Sequence, residues 1–413
     1  MRRWSLVCLL SLGVIIAYVD RTNLSVSLAD ASFKKFFQLD DTQRGLLNSV
    51  FFWSYALLQI PAGFFVDRFG VKYPMAIGFG MWCLVSAATG ATTAVWQLIT
   101  LRLLLGVFES VVTPGAVRWV GCNIEERRRG LAMGIYMAGT KFGSAVGAKL
   151  ATWLLGIYGW RQMFVILGLG GLAWLIPWLL LARNDDRQIE RAQAAASTTP
   201  VIPFAGLFRT RVMWGILIGT FCYNYFAYFC MTWLPAYLVE RRGLSMAEMG
   251  TITSFSFGGM ATVAIIAGFA ADWLISRGAN AIRTRRWFTI AGFLVASTEM
   301  IGALSSSKQV AVAFAIISLS GLGLATANYW ALTQALMRGA AMGGVAGAQN
   351  MASNLAGVAA PLFTGWLKSA TADVGGGYVW PMRLIWVFLL AGVGAYVFLV
   401  KEPKPQTNAD ERG

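Results

Sequence analysis

The chain has 413 residues, of which 57% are hydrophobic and only 13% are charged, and its formal net charge is +15. A soluble domain carries about 25% charged residues, so this composition and a mean hydropathy of +0.60 exclude a soluble protein and predict many membrane-spanning helices. The basic excess does not indicate nucleic-acid binding, because lysines and arginines collect beside spans on one side of a membrane.

The residue types limit the available chemistry. The sequence has five cysteines and no histidine, and the cysteines lie in or at the ends of apolar runs. Their spacing is not that of a metal site or a disulfide pattern, so we expect no metal and no cofactor. A proton carrier in this chain must then be a carboxylate, a tyrosine or water. Without a nucleophile–base pair, an enzyme is not expected.

Charges and turn residues divide the chain into twelve apolar segments, each near the length of about twenty residues that a bilayer requires. The first segment continues through Asp20 without a small-residue cleavage site, which favours a span over a signal peptide. The predicted spans are 4–29, 43–66, 74–93, 96–119, 129–155, 160–182, 211–239, 245–275, 286–306, 309–336, 341–368 and 379–400.

The distribution of basic residues predicts the orientation of these spans. If the N-terminus lies inside, the inner connections carry about twice as many lysines and arginines as the outer ones, as the positive-inside rule requires. We therefore expect both termini in the cytoplasm and the protein in the cell (inner) membrane. An orientation with both termini outside would reverse this bias.

The longest hydrophilic interruption falls near the middle and predicts two six-helix halves. After spans two and eight the sequence repeats a Gly-x-x-x-Asp pattern, at Gly63–Asp67 and Gly268–Asp272. Parallel repeats of six spans are one way in which transporters are built. The predicted divisions are an N-terminal half at 1–183, a cytoplasmic linker at 184–209, a C-terminal half at 210–400 and a cytoplasmic tail at 401–413.

Spans one and four of the first half each contain a pair of oppositely charged residues within an apolar run. Asp20 and Arg21 are adjacent in span one, while Arg102 and Glu109 stand seven positions apart in span four. Seven residues turn a helix through about 700° and advance it by about 10 Å, so Arg102 and Glu109 share one face. Because a charge at the bilayer centre costs about 2.5–3.5 kcal/mol, that face is expected to meet water or a charged partner.

Several motifs together identify a family. The loop G-F-F-V-D-R-F-G-V-K at 63–72 resembles the signature of the major facilitator superfamily, and Arg102-x-x-x-Gly106 resembles its second motif. Within it the chain resembles the anion:cation symporters, including bacterial sugar-acid/proton symporters. Further matching pieces are Y-V-D-R-T-N-L-S-V at 18–26, F-F-W-S-Y-A-L-L-Q-I-P-A-G at 51–63, R-L-L-L-G-V-F-E-S at 102–110, G-W-R-Q-M-F at 159–164, W-L-P-A-Y-L at 233–238 and G-A-Q-N-M-A-S-N-L-A-G at 347–357.

The resemblance implies roles for particular residues. It implies that Asp20 and Glu109 carry protons, and that Arg102 and Arg21 hold the substrate anion. The alternative is that these four residues form structural ion pairs, and a pair that opens when substrate arrives would satisfy both readings. Trp330 and Asn350 match substrate-contact positions of the resembled importers.

Lys141 departs from the resembled sugar-acid carriers, which tend to have a neutral polar residue there. A third cation within the spans suggests a second anionic contact or a doubly charged substrate; the alternative is an ion pair with a carboxylate. Lys149 is expected to extend to the outer interface. Glu299 is expected to be solvated near that interface. Substrate contacts are also predicted for Tyr55, Tyr225 and Asn354, and at least one of Tyr223, Asn224 and Tyr228 is expected to face the cavity.

The loop after span two is assigned a gating role. Asp67, Arg68 and Lys72 are expected to hold one conformation through a charge and helix-end contact between the halves, which must break in each cycle. In span five, Gly139, Gly143 and Gly147 recur every four residues, a spacing that lets helices approach closely.

These observations predict an all-α membrane protein with twelve transmembrane helices in the major facilitator fold. The predicted function is proton-coupled import of an organic anion, either a sugar acid or a small mono- or dicarboxylate, by a monomer in the lipid bilayer. A proton-independent exchanger or exporter of anions fits the same charges. A membrane sensor that binds the anion is the more remote alternative.

Overall fold

The computed structural model describes residues 2–183, 208–336, 342–373 and 377–400, and the regular structure within these ranges is entirely helical. Helices are expected in an apolar environment because every backbone N–H and C=O group must find its partner within the segment. The predicted linker at 184–209 lies outside the described residues except for its last two, and the predicted tail at 401–413 lies wholly outside them. The exact residue bounds of these divisions stay a prediction.

The helices before residue 184 form six spans. α1, α3 and α4 cross once each, and the consecutive helices α5 and α6 together form the fourth crossing. The bounds are α1 Arg2–Ala29, α2 Ala31–Phe37, α3 Asp41–Phe69, α4 Lys72–Ala88, α5 Val95–Glu109, α6 Val112–Asn123, α7 Glu126–Gly171 and α8 Leu175–Leu181, with short 3₁₀ turns at Thr89–Ala91 and Leu172–Trp174.

The chain reverses direction inside α7, at Gly159. This residue has φ +76° and ψ 169°, a conformation that is strained for residues with a side chain but open to glycine. The part of α7 before Gly159 is the fifth span, and the part after it continues through α8 as the sixth. The apolar segment Leu131–Leu181 therefore contains two spans that are separated at Gly159.

The helices after residue 207 supply the other six spans. α9 crosses the membrane, and the short α10 follows it beyond that crossing. The bounds are α9 Arg211–Thr232, α10 Leu234–Glu240, α11 Met246–Ser276, α12 Ala281–Ser297, α13 Glu299–Leu304, α14 Lys308–Leu336, α15 Met342–Ala370 and α16 Val379–Gly394, which ends in a π-helical turn at Ala395–Leu399.

The span count follows from length and composition. In the described ranges, nine helical segments are long and apolar enough to cross a membrane, and the one at Leu131–Leu181 folds into two crossings. The remaining two crossings are α3 and α15, which have 29 residues each and an internal proline. Twelve spans result, as the sequence predicts.

Helix starts are fixed by side chains that satisfy free backbone N–H groups. At the start of α3, Asp40 accepts from the Gln43 N–H and the Gln43 side chain accepts from the Asp40 N–H. Ser245 and Glu248 form the same reciprocal cap at the start of α11. Such caps end the preceding connection and begin the span at a defined residue.

The two halves meet along two helix pairs, α3 with α15 and α7 with α11. Gly45 of α3 lies against Gly365 of α15, and Gly250 of α11 lies against Thr152 of α7. Small residues at such crossings let the backbones approach closely. The cavity described next lies between the two halves, and we name the two ends of the bundle after the ends of α1, the Arg2 end and the Ala29 end.

Candidate binding site

A cavity of about 140 Å³ lies between the halves near the middle of the bundle. This volume is comparable with the roughly 150 Å³ of protein cavities that admit a small organic molecule. Both halves line it, with Tyr18 and Arg21 from α1, Lys141 from α7, Tyr223 from α9 and Tyr329 from α14. The lining is aromatic and hydroxyl-rich, and three of its residues carry ionisable charges.

Arg21 and Glu109 form a buried ion pair at one wall of this cavity. Arg21 Nε donates to Glu109 Oε1 at 2.8 Å, and Arg21 Nη2 donates to the same oxygen. The two residues are 8% and 1% exposed. Glu109 Oε2 is buried and accepts no hydrogen bond from any residue that the structure describes. One carboxylate oxygen therefore holds the arginine while the other has no partner.

Aromatic rings surround the guanidinium of this pair. The Arg21 Cζ atom is 4.7 Å from the ring centres of Tyr18 and Phe51 and 4.8 Å from that of Tyr55. A cation over aromatic faces is stabilised by the ring quadrupoles, and more so where water is excluded. The rings keep Arg21 charged and in place on the cavity wall even if its contact with Glu109 changes.

Asp20 faces away from the cavity into a different polar cluster. It accepts hydrogen bonds from Trp82 Nε1 at 2.7 Å, Ser86 Oγ at 2.9 Å and Asn23 Nδ2 at 3.3 Å. Arg102 Nη2 donates to the Oδ1 atom of the same Asn23 at 3.5 Å. Asp20 and Arg102 are thus linked through Asn23, and this cluster adjoins the first pair because Arg21 is the next residue on α1.

Arg102 borders a smaller space on the Ala29 side of the cavity. That space also touches Arg21 and Asn48. Arg102 and Glu109 both face α1, as their seven-residue spacing predicts, but the two carry different partners. The structure therefore brings Arg21, rather than Arg102, to the main cavity with Glu109.

Lys141 is the third charged residue of the lining and is partly exposed there. Its Nζ lies 5.8 Å from the ring centre of Tyr223. No carboxylate among the described residues lies within ion-pair distance of it. The alternative of a structural ion pair for Lys141 therefore finds no support in the described part of the chain.

Four more residues predicted to contact substrate line the cavity. They are Tyr55, Trp330, Asn350 and Asn354. The Tyr55 hydroxyl is 3.2 Å from Thr113 Oγ1, and Asn350 Nδ2 donates to Gln59 Oε1 across the halves at 3.1 Å.

Tyr225, another predicted contact, is placed elsewhere. It is 1% exposed, and its ring packs 4.4 Å from that of Phe388 on α16. The residues beside it on α9 face the cavity instead, namely Tyr223, Asn224 and Tyr228. The helical turn thus directs Tyr225 into the second half while its neighbours reach the space between the halves.

Sequence reasoning missed two tyrosines of the lining, Tyr18 and Tyr136. Tyr18 precedes Arg21 by three positions, so it had to share a helix face with a residue already assigned to the site. Tyr136 precedes Lys141 by five positions, a weaker spacing signal. The Tyr136 hydroxyl lies 3.5 Å from Thr113 Oγ1, which connects it to Tyr55.

A network of ion pairs joins the halves at the Ala29 end, and the sequence did not predict it. Glu240, at the end of α10, is its centre. The Glu240 carboxylate contacts Lys34 Nζ at 2.5 Å, Arg44 Nη2 at 2.9 Å and Lys368 Nζ at 3.3 Å. Lys368 also contacts Asp41 at 2.5 Å. We call these five residues the Ala29-end network.

The network places charges of both halves in a closed layer. Lys34, Asp41 and Arg44 belong to the first half, whereas Glu240 and Lys368 belong to the second. Burial alone would raise the pKa of the Glu240 carboxyl, but Arg44 and the lysines outweigh burial and lower it to about 2. Glu240 is therefore ionised at neutral pH, and the layer holds the halves together at this end.

The loop after span two, which was predicted to be a gate, makes no described contact that tests this role. The side chain of Asp67 lies outside the described residues. Arg68 Cζ lies 5.7 Å from the Phe69 ring centre, and Lys72 Nζ lies 6.0 Å from that of Tyr73. These contacts are local to the first half, so the gating role of this loop stays a prediction.

Glu299 is not placed as expected, and Lys149 makes a contact that was not predicted. Glu299 was expected to be solvated, but it is 4% exposed and accepts a hydrogen bond from Ser318 Oγ at 2.7 Å. It is buried because α13 starts at Glu299 and packs its first turn against α14. Lys149 is exposed, and its Nζ donates to Thr251 Oγ1 of the other half at 2.6 Å.

Comparison with known proteins identifies the family. The model of the Major Facilitator Superfamily matches residues 10–361, which is most of the chain. The chain belongs to the major facilitator superfamily. The proteins of this family that resemble it are named as transporters and not as enzymes, which agrees with the predicted class.

Named superfamily members match along almost the whole chain. A probable L-galactonate transporter of Escherichia coli K12 is 29% identical, with 96% of this chain and 88% of the relative covered. A D-galactonate transporter of Escherichia coli O6:H1 is 27% identical over 98% of this chain and 96% of the relative. A probable galactarate/D-glucarate transporter of Bacillus subtilis is 27% identical over 96% and 92%.

A solved superfamily structure supports the fold. It is a bacterial homolog of the human lysosomal transporter Spinster in an inward-facing and occupied conformation, with a TM-score of 0.79. The two proteins are 18% identical, and the match covers 96% of each chain. At this identity the likeness shows the shared fold. The chain is therefore a multi-pass membrane transporter with the major facilitator architecture.

Proposed function

We propose that the protein imports an organic anion, a sugar acid or small carboxylate, together with protons by alternating access. The observation that carries this proposal is the Arg21–Glu109 pair at the cavity wall, in which one carboxylate oxygen holds the arginine and the other is buried without a partner among the described residues. The printed names of the relatives support the anion class, since they are galactonate and galactarate/D-glucarate transporters.

The pair supplies a mechanism for coupling. A proton that binds at Glu109 Oε2 removes the negative charge and weakens the contact with Arg21. The planar guanidinium of Arg21 is then free to hold a carboxylate of the substrate through two parallel hydrogen bonds. Substrate and proton both favour the state in which Arg21 has left Glu109, so each raises the affinity for the other.

We assign Asp20 to a second coupling position. It has three hydrogen-bond donors and lies off the cavity, so substrate reaches it only indirectly, through Arg102 and Asn23. Arg102 borders the smaller space toward the Ala29 end. Its proposed role is to hold the anion on the way between that end and the main cavity.

The remaining lining residues determine specificity in this proposal. Tyr55, Trp330, Asn350 and Asn354 present hydroxyl, indole and amide groups to the cavity. Such groups form hydrogen bonds with the hydroxyl groups and the carboxylate oxygens of a sugar acid. Tyr225 supports the site from behind by packing α9 against α16.

The orientation completes the proposed cycle. The bias of basic residues supports an orientation in the cell (inner) membrane with the Arg2 end and both termini in the cytoplasm and the Ala29 end outside. The Ala29-end network then closes the outer side of a monomer. A ligand shifts the equilibrium between the outward-open and inward-open conformations only if it binds one of them more tightly. Import therefore requires that the ion pairs of this layer break to admit substrate and proton, and that the two bound together favour the conformation in which the ion pairs have formed again.

The test is uptake into proteoliposomes under an imposed inward proton gradient. Labelled galactonate and galactarate are supplied with and without the gradient, and a protonophore serves as the control. The proposal expects gradient-driven accumulation of at least one acid that the protonophore abolishes. Accumulation that ignores the gradient, with counterflow intact, refutes proton coupling and favours the exchanger. Absence of both uptake and counterflow for every acid refutes the transported class.

A further inference from the structure

The charges of the cavity lining do not balance when it is empty. Among the described residues, the ionisable charges of the lining are Arg21, Lys141 and Glu109, two cations and one carboxylate. Asp20 and Arg102 are linked to each other outside this lining, through Asn23. A net positive charge in a site with little water is costly unless an anion compensates it.

Proton coupling at Glu109 increases this imbalance. When Glu109 is ionised, the lining has one excess positive charge, and a substrate with one carboxylate would neutralise it without any proton. When Glu109 is protonated, the excess is two positive charges, and a substrate with two carboxylates neutralises it. Coupled transport through a neutral loaded cavity therefore requires two negative charges on the substrate.

The height of Lys141 relative to Arg21 follows from the packing of α7 on α1. Three glycines of α7 meet successive turns of α1 in the same direction, with Gly139 at Ser11, Gly143 at Ile15 and Gly147 at Val19.

The glycine contacts place Lys141 level with the turn of α1 that contains Val14. Arg21 lies about seven residues further along α1, or about 10 Å at 1.5 Å per residue. Both side chains reach the same cavity.

The separation suits one molecule that bridges the two cations. A six-carbon chain places its terminal carbons about 6–7 Å apart with C–C bonds of about 1.5 Å. A hydrogen-bond length of about 3 Å at each end brings the reach of the molecule to about 12–13 Å, which is enough to bridge two side chains whose backbone levels differ by about 10 Å. Tyr18 lines the cavity between these two levels, and Thr140 lines it beside Lys141, so both offer hydroxyl groups to a hydroxylated chain.

We propose that the substrate is a dianion with a carboxylate at each end of a hydroxylated chain, one bound by Arg21 and the other by Lys141. This inference rests on the proposed function and narrows its substrate class. One-carboxylate acids occupy the Arg21 position only and leave Lys141 without a counter-charge.

A matched pair of acids tests the inference. Galactarate and galactonate share a six-carbon hydroxylated chain and differ in whether the second end is a carboxylate. Their dissociation constants are measured by calorimetry on the purified full chain in detergent, at a pH where both are ionised. The proteins are wild type, Lys141→Gln, Lys141→Arg and Lys149→Gln, the last a control because Lys149 lies outside the cavity and contacts Thr251.

We expect wild type to bind galactarate at least tenfold more tightly than galactonate. Lys141→Gln should weaken galactarate binding by ten- to a hundredfold and change galactonate binding less than threefold, which also shows that the variant is folded. Lys141→Arg should retain the preference, and Lys149→Gln should leave both constants unchanged.

Two results separate failure of the inference from failure of the proposed function. If wild type binds both acids but prefers galactonate, or if Lys141→Gln leaves the ratio unchanged, the two-carboxylate inference is wrong while anion transport stands. If wild type neither binds nor transports any acid of the uptake panel, the proposed function fails and the inference falls with it.

Discussion

Replacing Glu240 with glutamine should loosen the Ala29-end network. The substitution preserves the shape and the hydrogen bond from the Tyr378 hydroxyl, now at 2.9 Å, but removes the charge that three cations share. Those cations come from both halves, so they lose their common anion and repel one another across the contact. The conformation that is open at this end becomes more populated.

The size of the effect follows from the pKa of Glu240. A change from the ordinary value of 4.5 to about 2 corresponds to roughly 3 kcal/mol at 1.36 kcal/mol per pKa unit. The Glu240 side chain is 19% exposed and the residue as a whole reaches solvent, which screens its charges. We therefore expect about 1–2 kcal/mol, a factor of roughly 5–30 in the open population.

The sign of the pH dependence is fixed by the direction of this shift. A carboxyl with a lowered pKa contributes fully above its ordinary value of 4.5, and the contribution is lost as the pH falls through about 2. The network therefore keeps constant strength at neutral and mildly acidic pH. Any pH dependence of transport in that range must arise from other groups.

Cysteine accessibility measures the opening. Asn48 is 6% exposed, lies one turn beyond Arg44 on α3 and borders the smaller space beneath the network. Asn48→Cys, in a background without the native cysteines, is labelled with a membrane-impermeant maleimide. Glu240→Gln should raise the labelling rate 5- to 30-fold. Glu248→Gln is the matched control, because Glu248 caps α11 nearby and is outside the network. Equal rates in Glu240→Gln and its parent would refute the gate.

Two other substitutions test the site and the packing around it. Arg21→Lys removes the planar guanidinium and should weaken acid binding at least tenfold, measured by calorimetry. Tyr225→Phe, which lies outside the cavity, is the control and should not weaken binding. Equal affinities of wild type and Arg21→Lys for the acid would refute the Arg21 contact. Gly143→Val places a Cβ 2.7 Å from Ile15 O and should cost about 1–3 kcal/mol, seen as a lower melting temperature. Gly156→Val, at a glycine with open space, is its control, and equal melting would contradict the close α1–α7 contact.

The fold was largely predictable because apolar length and turn residues decide where a chain crosses a bilayer. The capped starts of α3 and α11 lie within two residues of the predicted ones. The break at Gly159 was predicted as a gap between spans five and six, and the non-helical backbone of Gly159 lies in that gap. The short helix α2 was not predicted, because seven residues with two lysines resemble a loop in composition.

The site was predictable where a charge interrupts an apolar run. Such residues are costly in a membrane, so Arg21, Glu109 and Lys141 were predicted from the sequence; all three line the cavity, and their roles stay a prediction. Tyr18 and Tyr136 were missed because tyrosines are common in spans and only the packing shows which of them face the cavity. Glu299 was misplaced because its burial depends on how α13 packs against α14, which composition does not determine.

The Ala29-end network was missed for a related reason. Lys34, Glu240 and Lys368 are each more than a hundred residues apart in sequence, and each alone looks like a solvated residue beside a span. The approach of Gly45 to Gly365 brings the segments of Arg44 and Lys368 together, and the packing of α10 against α1 brings Glu240 beside them. Charges in loops acquire a role through tertiary contacts that no local pattern contains.

The most direct test of proton coupling compares wild type with Glu109→Gln in proteoliposomes. Gradient-driven net uptake of the bound acid and its counterflow exchange are measured on the same preparation. The glutamine side chain is neutral and does not take up a proton, so gradient-driven net uptake should disappear. Exchange should continue, because Arg21 no longer has an anionic partner and stays free to bind the substrate. If Glu109→Gln still accumulates the acid in response to the proton gradient, Glu109 is not the coupling residue and the central claim is contradicted.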